Sequence, residues 1–106
     1  MLTDLNKFNE FIKERDEFSF KTFGTPNERG CECPLLHLQD EIKELLENPN
    51  DPMEWADCFL LLIDAARRKG YSIDDLLDFS IKKLEINKNR TWKKQPNGVF
   101  KHTNKE

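Results

Sequence analysis

The stretch from Pro52 to Lys69 constrains the fold of this chain more than any other part of the sequence. Its apolar side chains surround the whole circumference of a helix, at Trp55, Ala56, Cys58, Phe59, Leu60, Leu61, Leu62, Ile63, Ala65 and Ala66. A helix that is apolar on all sides must be covered on all sides. Three other short helices from a chain of 106 residues are too few to cover it. The stretch therefore predicts the central helix of a dimer or a larger bundle.

Three more helices and one loop are predicted from the spacing of apolar residues. They are a helix over residues 4–18, a loop over residues 20–34, a helix over Leu35–Glu47, and a helix that Ser72 caps and that runs to about Lys88. The order Asp51-Pro52 is typical of a helix start, and Gly70 is typical of a helix end. The fold class expected from these signals is all-α, a four-helix bundle completed by oligomerisation.

The sequence after the fourth predicted helix is polar. From residue 91 to residue 106 it contains Pro96 and Gly98, so a loop or a partly disordered tail is expected there. No internal repeat divides the chain, and the sequence predicts a single domain over residues 1–106.

The cysteines and the apolar runs predict a cytoplasmic protein. Three cysteines, Cys31, Cys33 and Cys58, are an odd number, which fits reduced thiols better than a disulfide framework. The first residues lack the continuous apolar core of a signal peptide. The longest apolar run, Cys58 to Ile63, is far shorter than a membrane span, so no membrane association is expected.

Charge is distributed unevenly along the chain. Between Asp40 and Asp57 seven acidic residues stand against one base, whereas from Lys82 onward eight basic residues stand against two acids. An acidic cluster that faces a basic one suits a metal ion bound to a polyphosphate. The net charge of −3 and the lack of a groove-reading motif argue against a nucleic-acid partner.

Two carboxylate pairs form the strongest chemical signal. Residues three apart share a helix face, so Glu41 pairs with Glu44 on the second predicted helix, and Glu54 pairs with Asp57 on the third. The connection over residues 48–53 is short, so an antiparallel packing of the two helices brings both pairs to one end. Four carboxylates in a small volume repel one another unless a hard cation such as Mg²⁺ is bound. The alternative is a solvated acidic face, with Glu54 acting only as a capping residue.

These motifs resemble a known family. The pattern E-x-x-E followed by E-x-x-D, present as EIKE and EWAD, resembles the MazG-like all-α NTP pyrophosphohydrolases. The segments PLLHLQDEIKELLE, EWADCFLLLIDAARRKGYS and KLEINKNRTW look like the small dATP/dGTP diphosphohydrolase branch of that superfamily. The resemblance implies a four-helix MazG-like bundle and a Mg²⁺-dependent enzyme, with Mn²⁺ as a substitute metal. The implied reaction converts a (d)NTP, with dATP or dGTP as the first choice, to the monophosphate and pyrophosphate.

The resemblance also implies roles for particular residues. The implied metal ligands are Glu41, Glu44, Glu54 and Asp57, and the implied triphosphate and sugar ligands are Lys83, Asn87, Lys88 and Arg90. Glu41 or Glu44 accepts a proton from the attacking water, and the sequence does not choose between them. His37 and Asp64 are further candidates for substrate contacts. His37 could instead orient a carboxylate, or it could be a structural histidine with no role in the site. The alternative for Asp64 is an ion pair with Arg67 or Arg68.

The expected partners are the nucleotide and further copies of the chain, as a dimer or a tetramer. The implied setting is the cytoplasm of a bacterium, with the gene bacterial or carried by a phage. The sequence also allows an alternative function of a different class. In that alternative the chain is a non-catalytic helical oligomer that binds a protein, and it does not depend on Mg²⁺.

Overall fold

The computed structural model describes residues 2–24 and 30–103, which contain four helices and one β-hairpin. Helix α1 spans Leu2–Phe23, α2 Glu32–Glu47, α3 Pro52–Lys69 and α4 Ile73–Lys88, and strands β1 and β2 span Trp92–Lys94 and Phe100–His102. The chain divides into two compact units, Met1–Ile73 and Asp74–Glu106. All four predicted helices are present, so the all-α prediction is confirmed. The single domain remains a prediction.

Helices α2 and α3 form a hairpin across a connection of four residues, Asn48 to Asp51. The local sequence explains why α3 starts where it does. The Asp51 side chain accepts a hydrogen bond from the Met53 N–H at 3.0 Å, and Pro52 occupies the first helical turn, where no N–H partner is needed. The helix ends at Gly70, whose φ of 101° is strained for residues that carry a Cβ.

The predicted boundaries of the first two helices were partly wrong. Helix α1 continues to Phe23, although a loop was expected from residue 20, because nothing before Gly24 interrupts the helix. Gly24 has a φ of 88° and ends it. Helix α2 begins at Glu32, three residues earlier than predicted, and Pro34 fits within its first turn. The middle of the expected loop, residues 25–29, lies outside the described residues.

The tail prediction was wrong for residues 92–102, which form an antiparallel hairpin rather than a loop. Trp92 pairs with His102, and their rings meet edge to face with centroids 5.9 Å apart. Gly98 supplies the positive φ of 90° that the turn requires, and Asn97 accepts a hydrogen bond from the Val99 N–H. Residues that break a helix therefore build a turn here. Residues 104–106 lie outside the described part of the chain.

The first unit is held together by a buried charged cluster around Asp64. Arg15 of α1 contacts Asp64 Oδ1 at 2.7 Å, and the Ser19 hydroxyl donates to the same oxygen at 3.0 Å. From α3 itself, Arg68 Nε donates to Asp64 Oδ2 at 2.9 Å, and Arg67 Nη2 lies 3.3 Å from Oδ1. Because these partners come from two helices, Asp64 links α1 to α3.

This cluster has a clear effect on the titration of Asp64. Burial alone raises the pKa of Asp64, but the hydrogen bonds from Arg68, Arg15 and Ser19 outweigh burial and lower the pKa to about 2. The carboxylate therefore stays ionised at neutral pH and compensates the neighbouring guanidinium charges.

Few apolar side chains are covered within one chain. Among the described residues the fully buried ones are Ile63, Ala65 and Pro34, whereas Leu46, Leu36 and many others are more than half exposed. A single chain thus leaves many large apolar side chains exposed to solvent. This agrees with the predicted oligomer, which stays a prediction. Over the described helices, no segment is long and apolar enough to cross a bilayer.

We expect Asp64→Asn to lower the free energy of unfolding at pH 7 by about 3 kcal/mol, because it leaves buried guanidinium groups without a counter-charge. In the wild type, a pKa lowered from 3.8 to about 2 contributes stability that is present above pH 4 and lost as pH falls towards 2. With an allowance for solvent screening, this contribution amounts to about 1–2 kcal/mol. Urea unfolding at fixed protein concentration, from pH 7 to pH 2.5, measures both effects.

The control is Asp78→Asn, which changes an exposed carboxylate on α4. It should leave the unfolding curve within about 0.5 kcal/mol of wild type at every pH. If the two variants behave alike, Asp64 does not hold α1 against α3.

Candidate metal centre

Three glutamates from α2 and α3 meet near the closed end of the helical hairpin. One carboxylate oxygen each from Glu41, Glu44 and Glu54 lie within 4.8 Å of one another. Glu41 and Glu44 are three residues apart and so share one face of α2, while Glu54 lies in the first turn of α3. The short connection between the helices brings the two faces together.

Asp57, the fourth predicted ligand, does not belong to this group of three. Its side chain lies one turn after Glu54 and is exposed, although the sequence places it within the most apolar helix. Its negative charge still contributes to raising the pKa values of Glu41 and Glu54, so it borders the cluster. Asp57 stays a predicted ligand.

The carboxylates of the cluster disturb one another. A hydrogen bond with Glu44 raises the pKa of Glu41, burial and the charges of Glu44 and Asp57 raise it further, and the hydrogen bond with His37 opposes them. Burial raises the pKa of Glu54, and the neighbouring acids add to this effect, with Glu44 first among them. The site without a cation therefore disfavours full ionisation of its own side chains.

Two buried oxygens in the cluster have no hydrogen-bond partner, Oε2 of Glu41 and Oε2 of Glu54. A buried acceptor without a partner is costly, and native proteins rarely keep one without a reason. Carboxylate oxygens are the ligands that Mg²⁺ and Mn²⁺ prefer. The three carboxylate donors, their mutual repulsion and the two unpartnered oxygens together fit a site for a divalent cation.

Two side chains beside the cluster complete its surroundings. His37 Nε2 lies 3.2 Å from Glu41 Oε1, one helical turn away, which is the arrangement expected for a histidine that orients a carboxylate. Cys58 of α3 lies close to the same acids, and burial followed by their charges raises the pKa of its thiol. A thiol in this setting stays protonated and is a poor metal ligand. Sequence reasoning missed this neighbour of the cluster, although Cys58 follows Glu54 by four residues, one helical turn.

Asp64 lies elsewhere in the same unit, two turns along α3 from Asp57. Its two oxygens are occupied by Arg15, Arg68 and Ser19. Of the two roles weighed for Asp64, the ion pair with Arg67 and Arg68 is present. The predicted contact with substrate stays a prediction.

The predicted phosphate ligands all belong to the second unit. Lys83, Asn87 and Lys88 lie on α4, and Arg90 follows its end. Lys88 Nζ lies 3.9 Å from Glu85 Oε2 in an exposed pair. The Asn87 carbonyl accepts from Trp92 Nε1 at 3.0 Å, while the side-chain oxygen of Asn87 is buried without a hydrogen-bond partner. The roles of all four in substrate binding stay predictions.

Comparison with known protein sequences identifies a family and relatives of this chain. A sequence profile of the dATP/dGTP pyrophosphohydrolase family matches residues 11–106. The "Eaa protein" of Salmonella phage P22 is 45% identical over 86 residues, which are 81% of this chain and 26% of that protein. A "dATP/dGTP diphosphohydrolase" of cyanophage S-2L is 34% identical over 70 residues, which are 64% of each protein.

A solved structure has the same fold. It is a MazG-like pyrophosphohydrolase of cyanophage S-2L bound to dGDP and three catalytic Mn²⁺ ions per active site. The TM-score is 0.75 at 28% sequence identity, over 91% of this chain and 96% of that one. The MazG-like bundle expected from the sequence is thereby confirmed. The chain spans about a quarter of the length of the phage P22 relative and under two thirds of the cyanophage relative.

We expect Mn²⁺ to raise the melting temperature of the wild type by several degrees, because a cation at about 100 times its Kd contributes about 2.7 kcal/mol. Glu44→Gln should abolish most of this increase, because it removes one of the three clustered carboxylates. Without metal the same variant should melt at a higher temperature than wild type, because the mutual repulsion is relieved. Differential scanning fluorimetry with EDTA and with Mn²⁺ measures both quantities.

The matched control is Glu47→Gln, which changes an exposed glutamate one turn further along α2 and outside the cluster. It should respond to Mn²⁺ as the wild type does. The Mn²⁺ effect should also grow as pH rises above 4.5, because the raised pKa values of Glu41 and Glu54 make protons compete with the metal. An equal response of Glu44→Gln and wild type would place the metal elsewhere.

Proposed function

Since the chain belongs to the dATP/dGTP pyrophosphohydrolase family, we propose that it hydrolyses purine deoxynucleoside triphosphates, dATP or dGTP, to the monophosphate and pyrophosphate. One observation carries this proposal beyond family membership: three carboxylates within 4.8 Å, two of them with buried oxygens that lack a partner. The cyanophage relatives support it, since one is named a dATP/dGTP diphosphohydrolase and the other holds dGDP and Mn²⁺.

We assign Mg²⁺ as the metal, with Mn²⁺ as a substitute, held by Glu41, Glu44 and Glu54 with Asp57 at the border of the site. When bound, the metal supplies Lewis-acid polarisation of the phosphate and lowers the pKa of a coordinated water. The chain's own contribution is to hold these carboxylates together on two packed helices. The negative charges of the site are therefore already in position before the substrate binds.

The reaction forms a bond between a water oxygen and the α-phosphorus and breaks the bond between that phosphorus and the bridging oxygen. Pyrophosphate leaves with the bridging oxygen. Glu41 or Glu44 accepts the proton of the attacking water. The hydrogen bond between His37 and Glu41 favours Glu41, because it orients this carboxylate within the site.

The triphosphate and the sugar are assigned to Lys83, Asn87, Lys88 and Arg90. Lysine and arginine side chains form charge-assisted hydrogen bonds with phosphate oxygens, and these bonds stabilise the charge that develops on a departing pyrophosphate. The buried side-chain oxygen of Asn87 has no hydrogen-bond partner and can accept one from a sugar hydroxyl. His37 and Asp64 are assigned to the surroundings of the substrate, His37 through Glu41.

We further propose one domain that acts as a homo-oligomer, a dimer or a tetramer. The apolar side chains exposed in one chain support this assignment, because a second copy is the simplest cover for them. On α3 they include Trp55, Phe59 and Leu62, at 58%, 48% and 49% exposed. Helix α4 leaves Leu77 and Ile81 each 59% exposed.

The setting we propose is the cytoplasm of a bacterial host, with nucleotides as partners rather than nucleic acids. Both curated relatives are phage proteins. The alternative of a non-catalytic, protein-binding helical oligomer has no feature of its own in its favour, because a solvated acidic face does not require buried, unpartnered carboxylate oxygens.

We expect purified protein to convert dATP and dGTP to monophosphate and pyrophosphate with Mg²⁺ and not with EDTA. In water enriched in ¹⁸O, the label should appear in the monophosphate, because the attack is at the α-phosphorus. Glu41→Gln should lower kcat at least about 100-fold, because it removes both a metal ligand and the favoured base. Anion-exchange chromatography and mass spectrometry of the products measure these outcomes.

The control is again the Glu47→Gln variant, which should retain wild-type turnover. Light scattering on the same preparation should give a mass above that of one 12.6 kDa chain. Label in pyrophosphate would place the attack at the β-phosphorus. Turnover that is indifferent to EDTA, or no turnover of any nucleotide, would contradict the proposed function.

A further inference from the structure

A cavity of about 170 Å³ lies in the first unit, and one of its lining residues, His37, contacts the carboxylate cluster. Its walls are largely apolar and come from all three helices of the unit, with Phe23 of α1, Pro34 of α2 and Leu61 of α3 among them. His37 lines the cavity as well and also contacts Glu41, so it connects the cavity to the candidate metal centre.

Arg68 supplies the one strongly polar donor of this cavity that lacks a partner among the described side chains. Its side chain is 2% exposed, and its Nε is held by Asp64 Oδ2 at 2.9 Å. Its Nη1 is buried and donates to no acceptor. A buried guanidinium N–H without an acceptor costs free energy, so this donor is available to an acceptor other than those of the described residues.

Arg68 and the metal centre are placed to contact opposite ends of one nucleotide, the base and the phosphates. Arg68 follows Glu54 by 14 residues, which corresponds to about 21 Å along α3. Arg68 Nε is bonded to Asp64, one turn nearer the N-terminus of α3, so the guanidinium group lies on the side of Arg68 that faces the carboxylates. If the metal centre holds the phosphates of a nucleotide, the base at the other end of that nucleotide points towards the cavity.

The cavity also has the size and lining for a base. It is smaller than the roughly 300 Å³ or more that whole drug-sized ligands occupy, so it suits one part of a ligand. An aromatic ring and flat aliphatic walls from Phe23, Pro34 and Leu61 pack well against a planar heterocycle. A phosphate group fits poorly against such walls.

We propose that this cavity receives the purine base of the substrate and that Arg68 Nη1 donates to the 6-oxo group, so that the enzyme prefers 6-oxopurines to 6-aminopurines. Guanine presents two neighbouring acceptors, O6 and N7, which match a guanidinium donor. Adenine presents a 6-amino donor at the same place, and two donors cannot pair. This assignment rests on the proposed function for the position of the phosphates.

Substrate analogues test the assignment in the unaltered protein. Deoxyinosine triphosphate keeps the 6-oxo group and lacks the 2-amino group, whereas 2-aminopurine deoxyribonucleoside triphosphate has the reverse arrangement. We expect kcat/KM for the first to exceed that for the second by about ten-fold or more, because a base-specific hydrogen bond discriminates on that scale. Equal values for the two analogues would overturn the assignment.

A matched pair of variants separates a direct contact from a structural effect. Arg68→Lys keeps a positive charge beside Asp64 and removes Nη1. Arg67→Lys changes a second arginine of the Asp64 cluster that does not line the cavity. The ratio of kcat/KM for deoxyinosine triphosphate to kcat/KM for the 2-aminopurine analogue should fall towards one in Arg68→Lys. It should stay at the wild-type value in Arg67→Lys. If both variants change the ratio equally, the effect is structural and the proposal fails.

Binding of nucleosides without phosphate separates this proposal from the proposed function. Calorimetry with deoxyinosine and with 2-aminopurine deoxyriboside, in EDTA, reports on the cavity alone. If no triphosphate is hydrolysed but deoxyinosine binds more tightly and loses that advantage in Arg68→Lys, the base assignment stands and the enzyme assignment falls. If all triphosphates are hydrolysed at equal rates and neither nucleoside is preferred, the enzyme assignment stands and the base assignment falls.

Discussion

Repulsion among Glu41, Glu44 and Glu54 is the constraint on which the rest of this structure depends. Three carboxylates whose oxygens lie within 4.8 Å of one another oppose the packing of α2 against α3. The hairpin holds them together through local features that cost little, the Asp51 cap and the four-residue connection. A divalent cation converts the same repulsion into attraction, because each carboxylate then faces a positive charge. With the proposed metal ligands, stability in this part of the molecule is coupled to metal binding.

Helix α3 places opposite charges at its two ends. Glu54 lies in its first turn, and Arg67, Arg68 and Lys69 lie in its last. Both placements complement the helix dipole, which is positive at the N-terminus and negative at the C-terminus. The carboxylates at one end suit a metal that binds phosphate, and the arginine cluster at the other end is neutralised in part by Asp64. Between the two ends lies the cavity, which has apolar walls from Phe23 and Leu61 and polar groups from His37, Asp64 and Arg68. In the proposed function, one helix thus provides a metal ligand, an apolar wall and a hydrogen-bond donor.

Local signals explain what the sequence predicted well. Asp51-Pro52 and Gly70 act on their own neighbours, so the ends of α3 were predictable, and so was the pairing of Glu41 with Glu44 three residues apart.

The errors arose where the outcome depends on the rest of the fold. Ser19 bonds to Asp64 from 45 positions earlier in the chain, and no periodicity indicates such a contact. The β-hairpin was not predictable because strands of three residues are too short to show an alternating pattern, and Pro96 and Gly98 are as typical of an irregular tail as of a turn.

The central claim is that this carboxylate cluster binds the divalent metal that the reaction requires. Crystals grown with Mn²⁺ and a non-hydrolysable dGTP analogue, with diffraction recorded on both sides of the manganese absorption edge, test it most directly. The account predicts anomalous peaks bonded to oxygens of Glu41, Glu44 and Glu54, at manganese–oxygen distances of about 2.2 Å, as oxygen ligands require. Manganese bound only at other sites, with these glutamates free of metal at saturating Mn²⁺, would contradict it.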